Sequence, residues 1–431
     1  MAMTHALSTM GYTLADQGDL EEALAYYQRA LEIGQAVAPL SPITMEIVTN
    51  IGAVYSDLGE LERALDYHQQ CLEYDLRALG LDQGMVPESL AVARDFTNIG
   101  YVHGEQGDLG RALEYHQRAL EIDERLAPGS LTVARDFTNI GYIHGEQGDL
   151  GRALEHHQRA LEIDERLAPG SLDVARDVSN IGWIYYDLGD LDRALEGYER
   201  ALAIDRVAAP DSLDTGKDFS NIGRVYRERG DLDQALGYFE RALAIDRVEA
   251  PDSLNTAIDL SNIGLVCRDR GDLDQALEYF ERALRIEEGV APISLRTAQD
   301  FSYIGSVHRD RGDLRQAAEY YLRAIGIDES VAPVSIQMAT DLSDIAHVYY
   351  RLGDVARAVQ YLQRAVDVVE SLRVRAGAKR LQEQIFAAHQ SAYQSLIAVL
   401  AERGQGSRLG ASVSPDGAVA GTEAGRTAGG G

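Results

Sequence analysis

The chain has 431 residues, 45% of them hydrophobic and 25% charged, with 69 acidic against 40 basic side chains and a formal net charge of −29. That length exceeds what a single compact core usually supports, so several domains or a repeat array are expected. The negative balance argues against a phosphate-backbone partner, and no nucleic acid is expected.

Two cysteines are too few for a disulfide framework and fit a reducing compartment. No apolar run reaches the roughly 18 residues of a membrane helix. The opening segment MAMTHALSTMGYTLADQGDL has no hydrophobic signal core. Neither a membrane span nor a secretory signal is expected, and the expected location is cytoplasmic.

Read in chain order, the elements repeat. A small residue recurs inside a helical pattern at Gly11, Gly52, Gly100, Gly141, Gly182, Gly223, Gly264, Gly305 and Ala346. Successive numbers differ by 41, except for 48 between Gly52 and Gly100. A second series keeps the same beat at Gly18, Gly59, Gly107, Gly148, Gly189, Gly230, Gly271, Gly312 and Gly353, nearly always followed by Asp-Leu. Prolines 128, 169, 210, 251, 292 and 333 mark the joins. Nine units follow from this spacing.

The unit from Ser212 to Pro251 shows why each is a helical hairpin. Ser212 is a good N-cap, and Phe219, Ile222, Gly223 and Tyr226 fall on one buried stripe. Gly230 stops the first helix and Asp231 caps the second. That second helix buries Leu232, Ala235, Leu236, Phe239, Ala242 and Ile245 before Pro251 blocks its continuation. One hairpin cannot bury its apolar stripe alone, so the units must stack. Gly223 and its equivalents, mid-helix despite a cost of about 1 kcal/mol, are expected to let the two helices of a hairpin approach closely.

The pattern Gly-x-x-Tyr followed by Ala-x-x-x-(Tyr/Phe)-x-x-Ala, as in GRVYRERGDLDQALGYFERA, resembles the tetratricopeptide repeat (TPR) over roughly residues 5 to 370. Usual repeats of that family have about 34 residues. The extra length here is similar to the longer subtype of kinesin light chains and many prokaryotic signalling proteins. The resemblance implies an all-α, right-handed superhelical solenoid of nine helix-turn-helix units, with the array over residues 1–370 and a capping helix over 371–403. One departure is that the family's proline after the second helix is displaced to the later Ala-Pro. The segment SLRVRAGAKRLQEQIFAAHQSAYQSLIAVLAER also resembles the stretch that joins such arrays to caspase-like CHAT protease domains. Residues 404–431 are rich in glycine and alanine and read as a disordered tail.

Chemistry is sparse. No phosphate-binding Gly-x-x-x-x-Gly-Lys-(Ser/Thr) loop, His-Glu-x-x-His or Cys-x-x-Cys is present. Cys71 and Cys267 fall on core positions. His103 and His144 replace the repeat tyrosine, while His116, His156 and His157 lie on second helices of nearly duplicated units. Neither catalysis, a metal nor a cofactor is expected.

The binding signal is a set of columns on the first helices, which in this family line a concave surface. One residue before each Ile-Gly pair stand Asn50, Asn98, Asn139, Asn180, Asn221 and Asn262. Thr9, Tyr303 and Asp344 interrupt the column. One helical turn earlier come Arg94, Arg135, Arg176 and Lys217, and just after the glycine come Tyr101, Tyr142, Trp183 and Arg224. A side-chain amide can serve both the C=O and the N–H of an extended peptide. Kinesin-light-chain-type members are similar in using an asparagine row on peptide backbones. Helices about 10 Å apart would match about three residues of extended chain per unit. The expected ligand is an extended segment of a partner protein, acidic where it crosses Arg94 to Lys217.

Structural alternatives stay open for each column. The asparagines could bond the adjacent helix, or the preceding Thr97, Thr138, Ser179, Ser220 and Ser261. The basic column could pair with Asp95, Asp136, Asp177 and Asp218, and the aromatics could be groove wall. Arg118, Arg159, Arg200, Arg241 and Arg282 on second helices read as structural. The insertion within RALGLDQGMVPESL reads as drift rather than a binding loop. The rival class is a regulatory arm acting with a protease or signalling NTPase on another chain, and self-association is a third possibility.

Overall fold

The computed structural model describes residues 2–39, 41–78, 89–375 and 393–399. Every described element is helical, and no strand occurs among these residues. The all-α reading holds.

The chain divides into two compact units, Met1–Pro210 and the portion from Asp211 onward. The first unit holds five consecutive hairpins: α1 (Ala2–Asp16) with α2 (Leu20–Val37), α3 (Pro42–Asp57) with α4 (Leu61–Ala78), α5 (Leu90–Glu105) with α6 (Leu109–Leu126), α7 (Leu131–Glu146) with α8 (Leu150–Leu167), and α9 (Leu172–Asp187) with α10 (Leu191–Ala208). The second holds four: α11 (Leu213–Glu228) with α12 (Leu232–Glu249), α13 (Leu254–Arg270) with α14 (Leu273–Val290), α15 (Leu295–Arg311) with α16 (Leu314–Val331), and α17 (Ile336–Arg351) with α18 (Val355–Arg375). Within each unit, every helix packs on its neighbours in sequence. Residues 393–399 form a further helical stretch, whose Leu396 and Val399 pack with Ala346 and Leu362. Most of the 371–403 segment, including the stretch that resembles a protease linker, and all of 404–431 lie outside the described residues.

Local chemistry sets the helix ends. The Ser212 hydroxyl accepts the Thr215 N–H, and the Asp231 carboxylate accepts the Gln234 N–H. Between them Gly230 adopts φ +79°, a left-handed conformation that side chains resist.

The mid-helix glycine serves a ring rather than a backbone. A Cβ added at Gly223 would stand 2.8 Å from Phe239, and one at Gly264 2.8 Å from Phe280. Tyr27, His68, His116, His157, Tyr198 and Tyr321 occupy the same seat over Gly11, Gly52, Gly100, Gly141, Gly182 and Gly305. Where the glycine becomes Ala346, the corresponding partner is the non-aromatic Leu362. The close approach expected from the sequence is thus a helix backbone meeting the partner's aromatic side chain. His116 and His157 are packing residues on this pattern. Burial pushes the imidazoles of His68 and His116 down to about 4.

A second set of buried groups binds hairpin to hairpin. Asp95, Asp136, Asp259, Asp300 and Asp341 on first helices are all buried. Each interacts with an acid on the second helix before it: Asp75, Asp123, Asp246, Glu287 and Asp328 respectively. Asp164 and Asp177 pair in the same way. The hydroxyl column before the asparagines donates to these acids. Thr97 reaches Asp136 at 3.3 Å, Thr138 reaches Asp177 at 2.7 Å, and Ser261 reaches Asp300 at 2.8 Å. Ser220 makes the same bond to Asp259. Burial raises the Asp95 and Asp259 carboxyls to about 7. Such facing acids are compatible with burial when a proton is held between them.

Candidate functional site

The asparagine column is stereochemically uniform. Asn50, Asn98, Asn139, Asn180, Asn221 and Asn262 are all half-buried, two residues before the glycine of their hairpin's ring seat. No protein group lies within hydrogen-bond distance of any of these six amides among the described residues, and the Asn262 Nδ2 is wholly shielded from solvent. The neighbouring hydroxyls, one alternative partner, are directed to the buried acids instead. Apart from the shielded Asn262 Nδ2, the amides are therefore held in place by helix packing while their donors and acceptors stay without protein partners.

Four of the residues singled out in the sequence meet in one cavity of about 310 Å³. Asn98 and Tyr101 reach it from α5, and Asn139 and Arg135 from α7. Sequence reasoning missed the other wall. Ala53, Ser56 and Asp57 of α3 and His68 of α4 complete the lining. Ala53 stands three positions after Asn50, in the column of Tyr101, and His68 is the ring seated on Gly52, so both were reachable from the repeat register. Burial raises the Asp57 carboxyl.

The basic column divides. Arg176 pairs with Asp173 at 2.6 Å and Lys217 with Asp214 at 2.9 Å, each three residues back on its own helix. The following acids are not the partners expected from the sequence, because their carboxyls are buried between hairpins. Arg94 and Arg135 are exposed and have no carboxylate within ion-pair distance among the described side chains. Their positive charge instead lowers the proton affinity of the nearby buried acids Asp95 and Asp136.

The aromatic column divides as well. Tyr101 and Tyr142 are 54% and 57% exposed, so their rings are available to a ligand. Trp183 is half-buried, packed with Leu150, Ala153 and Ile184 and close over Gly145, where an added Cβ would meet its ring at 2.8 Å. Arg224 is half-buried and engaged within the protein. Asn50, Arg94, Tyr142, Arg176, Asn180 and Trp183 lie outside the cavity lining, and Lys217, Asn221, Arg224 and Asn262 belong to the unit that begins at Asp211.

The second-helix arginines are structural where their contacts are seen. Arg118 and Arg159 lie 4.1 Å from the ring centroids of Phe96 and Phe137. Cys71 and Cys267 are buried free thiols. No helix among the described residues is long and apolar enough to cross a membrane.

Comparison with known proteins places the architecture. No curated protein matches the chain. Among solved structures, the apo form of RapI is similar with a TM-score of 0.58 at 15% identity, covering 86% of this chain and 98% of that one. A Rap protein complexed with Competence and Sporulation Factor is similar at 0.53 and 15% identity, covering 84% and 99%. BtubC (BKLC) from P. vanneervenii aligns at 0.44 with 24% identity, over 53% of this chain and 92% of that one. Tetratricopeptide-repeat profiles match residues 3–77, 96–127, 130–207, 173–247, 214–288 and 296–371. With repeat profiles over most of its length and hairpins stacked in register, the chain belongs to the tetratricopeptide repeat family.

Proposed function

We propose that this protein is a protein–protein interaction scaffold that binds an extended segment of a partner across the first helices of its Met1–Pro210 unit. The observation that carries this reading is the cavity at α3, α5 and α7, where Asn98 and Asn139 present amides without protein partners beside Tyr101 and Arg135. An amide accepts one backbone N–H and donates to one C=O, so successive asparagines can hold an extended chain without regard to its side chains. Tyr101 supplies apolar area, and Arg135 favours a carboxylate in the segment. A repeat solenoid suits this role because stacking generates a long surface from one small unit. The Rap protein complexed with Competence and Sporulation Factor offers a fold-level parallel only.

Each amide pair contributes about 1 kcal/mol net. Removing two should weaken binding on the order of tenfold or more. The test compares wild type with Asn98→Ala/Asn139→Ala in partner capture from lysate and on arrays of acidic peptides, with thermal unfolding as the folding control. Loss of capture at unchanged unfolding is expected. Equal recovery by two equally folded proteins would overturn the assignment.

A further inference from the structure

A second cavity, of about 550 Å³, lies in the unit from Asp211 onward, away from the asparagine column. Its walls come from the end of α12, the start of α13 and the outer face of α14. Three arginines line it, Arg247, Arg282 and Arg285, around apolar surface from Leu260, Ile286 and Val290. In a chain of net charge −29 this concentration of cations needs a cause.

The repeat register shows that the site departs from the common pattern. At three other steps the second-helix arginine pairs with a glutamate 35 positions earlier: Arg159 with Glu124 at 3.6 Å, Arg200 with Glu165, and Arg364 with Glu329. Thirty-five positions before Arg282 stands Arg247, as Arg206 stands before Arg241, so at this step the partner carboxylate is replaced by a like charge. Arg285 adds a further cation at a register position that holds Glu121 and Glu162 in earlier hairpins and Ala203 and Ala244 in the two just before it. Both changes fall in one cavity. None of the three guanidinium groups has a carboxylate within ion-pair distance among the described side chains; Arg282 lies 5.7 Å from the Tyr279 ring centroid.

We infer that this cavity binds a small organic anion, a phosphate monoester or equivalent dianion carried on an apolar stem. Guanidinium forks match a phosphate or a pair of carboxylates by bidentate hydrogen bonds. The head would sit among Arg247, Arg282 and Arg285, with the stem against Leu260, Ile286 and Val290. Thr256, in the first turn of α13, also lines the cavity, with its N–H accepted by the Ser253 cap. Asp252 is an exposed acid on the lining and disfavours a uniformly anionic ligand, consistent with a single charged head. A volume of about 550 Å³ accommodates a ligand of this size.

The experiment titrates the full chain with phenyl phosphate by calorimetry, beside phthalate as the dicarboxylate arm and inorganic phosphate and benzyl alcohol as head and stem alone. Phenyl phosphate should bind saturably at millimolar concentration or below, more tightly than head or stem alone. Tighter phthalate binding would assign the head as a dicarboxylate within the same site. Arg247→Glu restores the ion pair seen at other steps, so folding should be kept while affinity drops about tenfold or more. Arg285→Gln, which removes only the added charge, should also weaken binding. No saturable binding of either anion, or equal affinity in wild type and both variants, overturns the site. Asn98→Ala/Asn139→Ala should leave this binding unchanged, so failure here is distinct from failure of the groove.

Discussion

The two units use one backbone to build opposite surfaces along their first helices. In the third and fourth hairpins of the Met1–Pro210 unit, the position six residues after the column asparagine is Gly104 or Gly145, and three residues after it are the exposed Tyr101 and Tyr142. From Asp211 onward the six-residue position of the first three hairpins holds arginines engaged with neighbouring hairpins. Arg227 pairs with Asp269 at 2.7 Å, Arg268 donates to Ser306 at 2.9 Å, and Arg309 pairs with Asp344 at 2.8 Å. Asp344 occupies the asparagine position itself, and its other oxygen accepts the Tyr321 hydroxyl at 3.3 Å. The last asparagine before the column changes, Asn262, has its Nδ2 shut away from water. The first unit leaves Gly104 and Gly145 at this position, and the second fills it with arginines bonded to the next hairpin. A repeat position therefore carries no function by itself; what its neighbours leave unpaired decides.

What the units share should respond in both. The largest expected effect is on pH. The facing acids between hairpins hold a proton in the folded state at pH values where the unfolded chain has lost it, because burial raises their carboxyls, Asp95 and Asp259 to about 7. A raised carboxyl pKa means the native state binds more protons between the unfolded value near 4 and the folded one. Stability should then fall as pH rises from about 4.5 through about 8 and level off above that. Urea midpoints across that range provide the check. Asp259→Asn, which keeps an acceptor for the Ser220 hydroxyl without a titration, should flatten the slope. A midpoint that rises toward pH 8 breaks the reading.

The ring seat is the next shared feature. Phe280→Ala removes a fully buried ring from over Gly264 and should cost about 3–5 kcal/mol, read as a lowered unfolding midpoint. The smaller ring in the first unit, His157 over Gly141, should cost less on removal. Equal losses would mean the seat is not a packing site.

The smallest effect sharpens the difference between the units. Gly104 has open space, its nearest neighbour to an added Cβ being Ile143 at 3.7 Å. Gly104→Arg places a cation 42 positions before Glu146, the separation of Arg227 and Asp269. It should leave stability within about 1 kcal/mol and reduce partner capture several-fold by internalising the open face. Unchanged capture would show that the glycine is not part of the binding surface.

Much of the scaffold was legible beforehand. The 41-residue beat, the serine and aspartate caps and the glycine stops depend on contacts within a few residues, and such signals are written locally. Ser212, Gly230 and Asp231 do in space what their spacing implies. The asparagine column was legible as a column. Its partner set was not, because the hydroxyl beside it bonds an acid 39 residues away. The alternative of pairing the basic column with the following acids failed for the same reason, since Asp136 and Asp177 look like surface neighbours in sequence and are buried between hairpins.

Periodicity alone determined that this chain must be a stack of helical hairpins, since an apolar stripe recurring with the helical turn has no other way out of water. Tertiary packing alone decided which amides remain open, which acids share a proton and where three arginines converge. Those outcomes depend on side chains brought together from different hairpins, and no local propensity encodes the distance between them.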